Sequence, residues 1–142
     1  MTNVYLASGF FNESQVRKVE LAEASLLSKG LNVFSPRENQ NQHIEFGSAH
    51  WRQATFETDV EAIEWADVLV AIYDEEDAGT MWEIGYAYAI GVPIIVVHKG
   101  EEVVNLMITD SLTAYLESFE ELLDYDFEAE FLLRKPYTGS VI

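Results

Sequence analysis

The sequence predicts a single-domain α/β fold with a doubly wound, mostly parallel sheet. Four short apolar runs alternate along the chain with amphipathic stretches long enough for helices, which is the pattern of strands joined by helical crossovers. The apolar runs contain few polar residues, as is typical of strands covered on both faces. A chain of 142 residues suits one hydrophobic core, and we assign residues 1–142 to one domain.

The first strand, helix and strand are bounded by strong local signals. The apolar run at residues 4–7 predicts a strand that ends at the Ser-Gly pair of residues 8–9. A helix is predicted from Asn12, a cap-like residue, to a stop at Gly30, and residues 31–34 predict the second strand. This unit predicts two parallel strands with a right-handed connection.

The next segment combines a long loop with a second helix. Residues 35–48 contain Pro, Asn, Gln and Gly with little periodicity, and long loops in compact domains often carry function. Residues 49–65 predict a helix whose core stripe is Phe56, Val60 and Ile63.

The second half of the chain completes the alternation. Residues 67–73 predict a third strand, residues 80–90 a helix and residues 93–97 a fourth strand. Beyond them, residues 105–115 predict loop and a short helix, and residues 116–133 a solvated helix. The expected result is a flavodoxin-like or Rossmann-like three-layer domain, in which ligands bind at the carboxyl ends of the strands.

The net charge limits the classes of partner. The chain has 8 Lys and Arg residues and 25 Asp and Glu residues, for a formal charge of −17 and a pI near 4.2. Because such a surface repels phosphate backbones and anionic lipids, we expect no nucleic-acid partner and no membrane partner. The lack of Cys excludes disulfides and a Cys nucleophile and, with no recognisable targeting segment, favours a cytoplasmic location.

Cofactor and metal motifs are missing from the sequence. There is neither a Gly-x-x-x-x-Gly-Lys phosphate loop nor a three-glycine dinucleotide motif, and we expect no cofactor. His43, His50 and His98 lie far apart without ligand spacing, so we expect no metal site.

Glu83 is the strongest candidate for chemistry. It is the only charged residue between Ala78 and Val97, and the predicted helix places it in a first turn that starts at Thr80. A helix N-terminus stabilises an anion, so we expect Glu83 to stay ionised and to act as a nucleophile. The alternative is a capping box, in which Glu83 bonds back to the start of the helix at Thr80.

Three more residues could support Glu83. Asp77 at the same sheet edge could act as proton donor, or its charge could simply favour the helix start. Asp59 lies on the shoulder of a buried stripe, where it could hold sugar hydroxyls, cap a loop or pair with Arg52. Tyr5 could donate a hydrogen bond to a carboxylate or pack in the core.

Several sequence segments occur in an order and with a spacing that indicate a known protein family. They are VYLASGFF at residues 4–11, PRENQ at 36–40, Asp59, DEEDAGTMWEIGYA at 74–87 and VNLM at 104–107. The most specific is DxGxxxExGYA at residues 77–87. Together they cover nearly the whole chain and resemble the nucleoside 2-deoxyribosyltransferases.

The resemblance implies transfer of 2-deoxyribose from a 2′-deoxynucleoside to a free purine or pyrimidine base in nucleoside salvage. A covalent deoxyribosyl-enzyme intermediate and retention at C1′ are implied with it. By this likeness Glu83 attacks C1′, Asp77 exchanges the proton with the base and Tyr5 orients Glu83.

The resemblance also implies the substrate contacts. Asp59 would hold sugar hydroxyls, and Gln40, Gly9 and Phe11 would line the base pocket. Gly79 belongs to the same substrate-binding motif.

Asn105 would reach the 5′-hydroxyl of the sugar. In the family this residue comes from a neighbouring subunit, which implies a homo-oligomer with shared sites, typically a hexamer built as a trimer of dimers. The C-terminal tail departs from relatives that end in a site-entering Tyr. The alternatives are a hydrolase of (deoxy)nucleoside or deoxynucleotide N-glycosidic bonds and a non-catalytic nucleoside-binding module.

Overall fold

A parallel sheet of five strands runs through the centre of the molecule. The computed structural model describes residues 1–98, 100 and 103–142. The strands are β1 (Asn3–Ala7), β2 (Asn32–Phe34), β3 (Val68–Ile72), β4 (Ile94–Val97) and β5 (Ala114–Leu116). They lie in the order β2-β1-β3-β4-β5, and every neighbouring pair is parallel.

Helices cover both faces of this sheet. They are α1 (Glu13–Ser28), α2 (Ala49–Trp65), α3 (Ala78–Ala89), the short α4 (Leu106–Thr109) and α5 (Phe119–Asp124), with a 3₁₀ turn at Pro36–Glu38. The start of α1 is as predicted: the side chain of Asn12 accepts a hydrogen bond from the backbone N–H of Gln15. Gly30 follows this helix with a φ of 77°, a conformation that favours glycine.

The two faces of β1 define the two cores. Because strand side chains alternate, Val4 and Leu6 pack in one cluster with residues of α1 and α5. Tyr5 and Ala7 pack in the other cluster with residues of α2, α3 and α4. This three-layer arrangement confirms the predicted doubly wound α/β fold.

The C-terminal part differs from the prediction. The solvated helix predicted at residues 116–133 is wrong, because α5 covers only Phe119–Asp124 and Leu116 belongs to the unpredicted strand β5. The acidic residues here are solvated, but Tyr125 and Phe127 are buried in the α1 core. Side chains directed inward from an irregular segment have no helical period, so the sequence pattern did not reveal them.

The predicted core stripe of α2 is correct only near its C-terminal end. Ile63 is buried and Val60 is half-buried, but Phe56 is 57% exposed and faces a pocket instead of the core. Within the described residues, no helix is both long and apolar enough to cross a membrane.

The strand order determines where a crevice opens. The chain goes from β1 outward to β2 and then crosses to β3 on the other side of β1. Connections therefore leave the carboxyl ends of β1 and β3 in opposite directions, and ligands bind at such switch points in doubly wound sheets.

Candidate active site

A pocket of about 440 Å³ opens at this switch point. Its volume is in the range that holds a small organic molecule. The lining side chains come from four separate parts of the chain: Ser8, Phe10, Phe11, Pro36, Gln40, Phe46, Trp51, Thr55, Phe56, Asp59, Val60, Ile63, Asp77, Gly79, Trp82 and Glu83. Five of the predicted site residues thus meet Glu83 in one cavity: Phe11, Gln40, Asp59, Asp77 and Gly79.

Asp77 lines the pocket and also lies at the N-terminus of α3. Its Oδ2 accepts hydrogen bonds from the backbone N–H of Thr80 at 2.9 Å and from the Thr80 hydroxyl at 2.8 Å. Asp77 is therefore the N-cap, and the capping box between Thr80 and Glu83, the alternative considered for Glu83, is wrong. Because α3 begins at Ala78, Glu83 lies in its second turn.

The turn that precedes Asp77 is sharply bent. Glu75 and Glu76 both have left-handed backbones, with φ values of 55° and 49°. The Tyr73 hydroxyl donates to Glu76 at 2.8 Å, and the Lys18 ammonium contacts the Asp74 carboxylate at 3.0 Å. These two contacts fix the turn to the sheet and to α1.

Glu83 and Tyr5 form a hydrogen-bonded pair across the core. Tyr5 is fully buried on β1, its ring stacks on Phe34 at 5.6 Å, and its hydroxyl donates to Oε2 of Glu83. Burial, and then the negative charge of Glu83, raises the pKa of Tyr5, so the phenol stays a donor. Both roles considered for Tyr5, core packing and carboxylate contact, are therefore present.

Glu83 is not ionised as readily as its sequence position suggests. Burial raises its pKa to about 8, the charges of Asp59 and Asp77 act in the same direction, and the Tyr5 hydrogen bond opposes them. The expectation that the helix N-terminus keeps Glu83 ionised is wrong for the free protein. The helix dipole acts mainly within the first turn, and Glu83 is beyond it.

Asp59 has unused hydrogen-bonding capacity. Burial raises its pKa to about 6, and its Oδ1 is buried without a hydrogen-bond partner among the described residues. A buried polar atom without a partner is unfavourable, so this oxygen is suited to a hydroxyl group of a ligand. Three roles were considered for Asp59. This oxygen neither caps a loop nor pairs with Arg52, so the contact with sugar hydroxyls is the role that it can still take.

Gly9 lies beside the lining residues and in contact with Asp77. A Cβ atom at this position would lie 3.2 Å from Cγ and Oδ1 of Asp77 and 3.2 Å from Oε1 of Gln15. The same Gln15 oxygen accepts from the backbone N–H of Phe11 at 2.8 Å. A side chain at this position would therefore crowd Asp77 and Gln15, which must then move by a few tenths of an ångström.

Asn105 is the predicted site residue that stands apart. It caps α4, where its Oδ1 accepts from the backbone N–H of Met107 at 2.8 Å. The described residues that line the pocket do not include Asn105. In the described part of the chain, no group of three or more His, Cys, Asp or Glu residues is arranged to hold a metal ion.

Sequence reasoning missed most of the aromatic wall. Phe46, Trp51, Phe56 and Trp82 all line the pocket, and the Phe46 and Trp51 rings lie 4.5 Å apart. Phe46 is 83% exposed, which is unusual for a phenylalanine. The signal was available: two large aromatic residues stand in or next to the polar loop that also holds Gln40.

Comparison with known proteins agrees with this geometry. The sequence model of the nucleoside 2-deoxyribosyltransferase family matches residues 4–123, which include the pocket lining and the Tyr5–Glu83 pair. The chain belongs to this family. It is an enzyme of the nucleoside deoxyribosyltransferase type.

Individual members are similar over nearly their full lengths. The nucleoside deoxyribosyltransferase of Limosilactobacillus fermentum is 34% identical, over 89% of this chain and 86% of its own. The structure of a 2-deoxyribosyltransferase from the psychrotolerant bacterium Bacillus psychrosaccharolyticus superimposes with a TM-score of 0.90 at 47% identity, covering 95% of this chain and 98% of that one. The CMP N-glycosidase of Clostridium botulinum, with a TM-score of 0.62 and 22% identity, shares the fold.

Proposed function

We propose that this protein transfers 2-deoxyribose from a 2′-deoxynucleoside to a free purine or pyrimidine base through a covalent adduct on Glu83. One observation carries the proposal: the Glu83 carboxyl group lines the pocket, is held by the Tyr5 hydroxyl, and shares the pocket with Asp77. Transfer proceeds with retention at C1′ because two displacements occur on the same carbon. The reaction serves nucleoside salvage.

In the first step Glu83 attacks C1′ of the bound deoxynucleoside. The new bond joins C1′ to a carboxylate oxygen, and the C1′–N bond breaks with its electron pair going to the base nitrogen. Asp77 donates a proton to the departing base. Tyr5 holds the attacking group through its hydrogen bond, and Asp59 accepts from a sugar hydroxyl with its unpaired Oδ1.

The second step reverses the first with another base. A ring nitrogen of the incoming base attacks C1′, Asp77 takes its proton, and the bond between C1′ and Glu83 breaks to restore the carboxylate. Gln40, Phe11, Gly79 and the region of Gly9 surround the base in this scheme. A 2′-hydroxyl withdraws electrons from the developing positive charge at C1′, so ribonucleosides are poor donors.

Neutral nucleosides suit this pocket better than nucleotides. The described lining residues include Asp59, Asp77 and Glu83 but neither Lys nor Arg. A 5′-phosphate would therefore meet negative charge without a compensating cation.

We further propose that the enzyme is a cytoplasmic homo-oligomer with shared sites, a hexamer built as a trimer of dimers. The position of Asn105 outside the pocket of its own chain supports a role in a neighbouring site. The residues that follow it, Leu106 and Met107, are 48% and 69% exposed, which suits an interface between subunits.

The first experiment is base exchange. The purified protein is mixed with 2′-deoxyuridine and adenine without phosphate, and the products are followed by chromatography. We expect 2′-deoxyadenosine and uracil. Uracil with free deoxyribose alone would instead indicate a hydrolase, and binding without turnover a nucleoside-binding module.

The nucleophile is tested by substitution and by mass spectrometry. We expect Glu83→Gln and Glu83→Ala to lower the transfer rate by about a thousandfold or more, because a lost nucleophile removes several kcal/mol of transition-state stabilisation. The matched control is Glu61→Gln at an exposed position on α2. Incubation with deoxyuridine alone should add a deoxyribosyl group to the Glu83 peptide of the wild type. Activity of Glu83→Gln within about tenfold of wild type would show that Glu83 is not the nucleophile.

A further inference from the structure

A buried carboxylate outside the pocket forms a compact polar cluster that the proposed reaction does not use. Glu23 on α1 is only 8% exposed. Its Oε2 accepts from the Ser35 hydroxyl at 2.7 Å and from Nε of Arg37 at 3.3 Å, and its Oε1 accepts from Nη2 of Arg37 at 2.6 Å. Ser35 is itself 3% exposed. Buried charges are stable when they are paired and hydrogen-bonded, as here, so this cluster is a built feature of the fold.

The cluster fastens the start of the long loop to α1. Ser35 directly follows β2, and Arg37 lies in the 3₁₀ turn Pro36–Glu38. Both side chains reach back to the same carboxylate on α1. The first residues of the loop are thereby held to a rigid helix, although loops on a protein surface are ordinarily its more mobile parts.

Arg37 connects this anchor to the pocket. While its side chain binds Glu23, its backbone carbonyl accepts a hydrogen bond from Nε2 of Gln40 at 2.6 Å. On the other side, the indole N–H of Trp51 donates to the backbone carbonyl of Gln40 at 3.0 Å. Gln40 lines the pocket, and these two hydrogen bonds fix both its side-chain amide and its backbone carbonyl.

We propose that Glu23 and Arg37 are positioning residues that hold Gln40 in the pose in which it contacts the nucleobase. The inference rests on the proposed function, because that function makes Gln40 a base contact. The bond to Arg37 uses one N–H of the Gln40 amide and fixes its orientation, with Oε1 as the acceptor for an N–H group of the base. Without the clamp, base binding must first order the loop, which weakens affinity.

The test measures the KM for the acceptor base. We expect Arg37→Met to raise the KM for adenine by about three- to tenfold, the effect of one or two lost hydrogen bonds, with kcat within about twofold of wild type. Arg37→Lys should have a smaller effect in the same direction, because an ammonium group keeps the charge but loses the two-nitrogen contact.

The chain offers a matched control. Glu38 contacts the same guanidinium group at 2.8 Å, but its side chain is 62% exposed. We expect Glu38→Gln to leave the adenine KM unchanged, since exposed ion pairs contribute little and the buried contact to Glu23 remains.

A double-mutant cycle distinguishes positioning from general destabilisation. If Arg37 acts through Gln40, the double variant Arg37→Met/Gln40→Ala has the same adenine KM as Gln40→Ala alone. An additive increase in KM would overturn the inference. If Arg37→Met does not fold, the same cycle with Arg37→Lys decides the question.

Failure of this inference differs from failure of the proposed function. If the wild type forms no 2′-deoxyadenosine, the proposed function itself is wrong. If the wild type transfers deoxyribose and neither Arg37 variant changes the adenine KM, only the positioning role is overturned.

Discussion

At the scale of single residues, the Tyr5 hydroxyl acts on a carboxyl group whose pKa burial has already raised to about 8. Its hydrogen bond lowers the pKa of Glu83, so its loss must raise that pKa further. At a given pH, a smaller fraction of Glu83 is then the ionised carboxylate, the form that the proposed reaction requires. The acid limb of kcat/KM for wild type is therefore expected near the pKa of the free enzyme, and Tyr5→Phe is expected to move it to higher pH.

The prediction is checked with complete pH profiles of kcat/KM for deoxyuridine. We expect the loss in Tyr5→Phe to be larger at about pH 6 than at about pH 9, because the ionised fraction of Glu83 in the variant approaches that of wild type as the pH rises through both pKa values. The control is Tyr86→Phe, which removes an exposed hydrogen bond between α3 and α2, from the Tyr86 hydroxyl to Glu64 at 3.1 Å. Parallel profiles for wild type and Tyr5→Phe would contradict the assigned role of Tyr5.

The residues that meet in the pocket were predicted from different signals. Asp77 follows a strand and Asp59 lies on the shoulder of the α2 stripe, whereas Gln40 and Phe11 came only from the family resemblance. The electrostatics of these residues could not be predicted from the sequence. The sequence pattern placed the start of α3 at Thr80, whereas Asp77 caps it, and this shift of three residues removes Glu83 from the first turn. Burial in the folded protein then decides the pKa of Glu83.

At the scale of elements, the turn between β3 and α3 contains backbone strain next to Asp77. Glu75 is exposed and has a φ of 55°. A left-handed backbone is unfavourable for a residue with a Cβ atom by roughly 1–2 kcal/mol, while glycine loses about 0.5–1 kcal/mol of extra conformational entropy on folding. We expect Glu75→Gly to raise the free energy of unfolding by about 0.5–1 kcal/mol.

Urea unfolding measures this change. The control is Glu45→Gly, because Glu45 is also an exposed loop residue but lies outside the left-handed region. The same substitution there should destabilise the protein, since only the entropic term remains. Equal effects at both positions would show that the turn is not strained.

The elements that could be predicted are those with a complete local signal. Helix α1 has a capping residue at Asn12 and a glycine stop at Gly30, and its bounds agree with the prediction. Strand β5 has only three residues and lies at the edge of the sheet, where pairing with β4 supports it. Neither its length nor its composition separates it from a loop, so only the tertiary contact reveals it.

At the scale of the whole molecule, the fold brings four distant segments to one cavity. The ends of β1 and β3 meet there because those strands are neighbours, which follows from the topology. The strand order does not explain why the loop at residues 35–48 lies beside the pocket. That loop reaches the pocket through the contacts of Arg37 with Glu23 and of Trp51 with Gln40, and such long-range contacts leave no periodic trace in a sequence.

If the active site is shared between subunits, a mixture of two inactive variants can recover activity, whereas a site built from one chain cannot. Glu83→Ala and Asn105→Ala are each expected to be inactive alone. If Asn105 completes a neighbouring site, mixing the two variants under conditions of subunit exchange forms some sites in which both residues are intact. Random assembly gives up to about a quarter of the wild-type activity.

The control mixture combines Glu83→Ala with Asp77→Asn. Both of these residues line the pocket of one chain, so no exchange of subunits can produce a site in which both are intact. The first mixture should therefore recover base exchange between deoxyuridine and adenine, and the second should not. If neither mixture recovers activity although mass spectrometry of the intact oligomers shows mixed subunits, Asn105 acts within its own chain. In that case the isolated chain contains the entire site, and dilution to monomers should leave its activity per subunit unchanged.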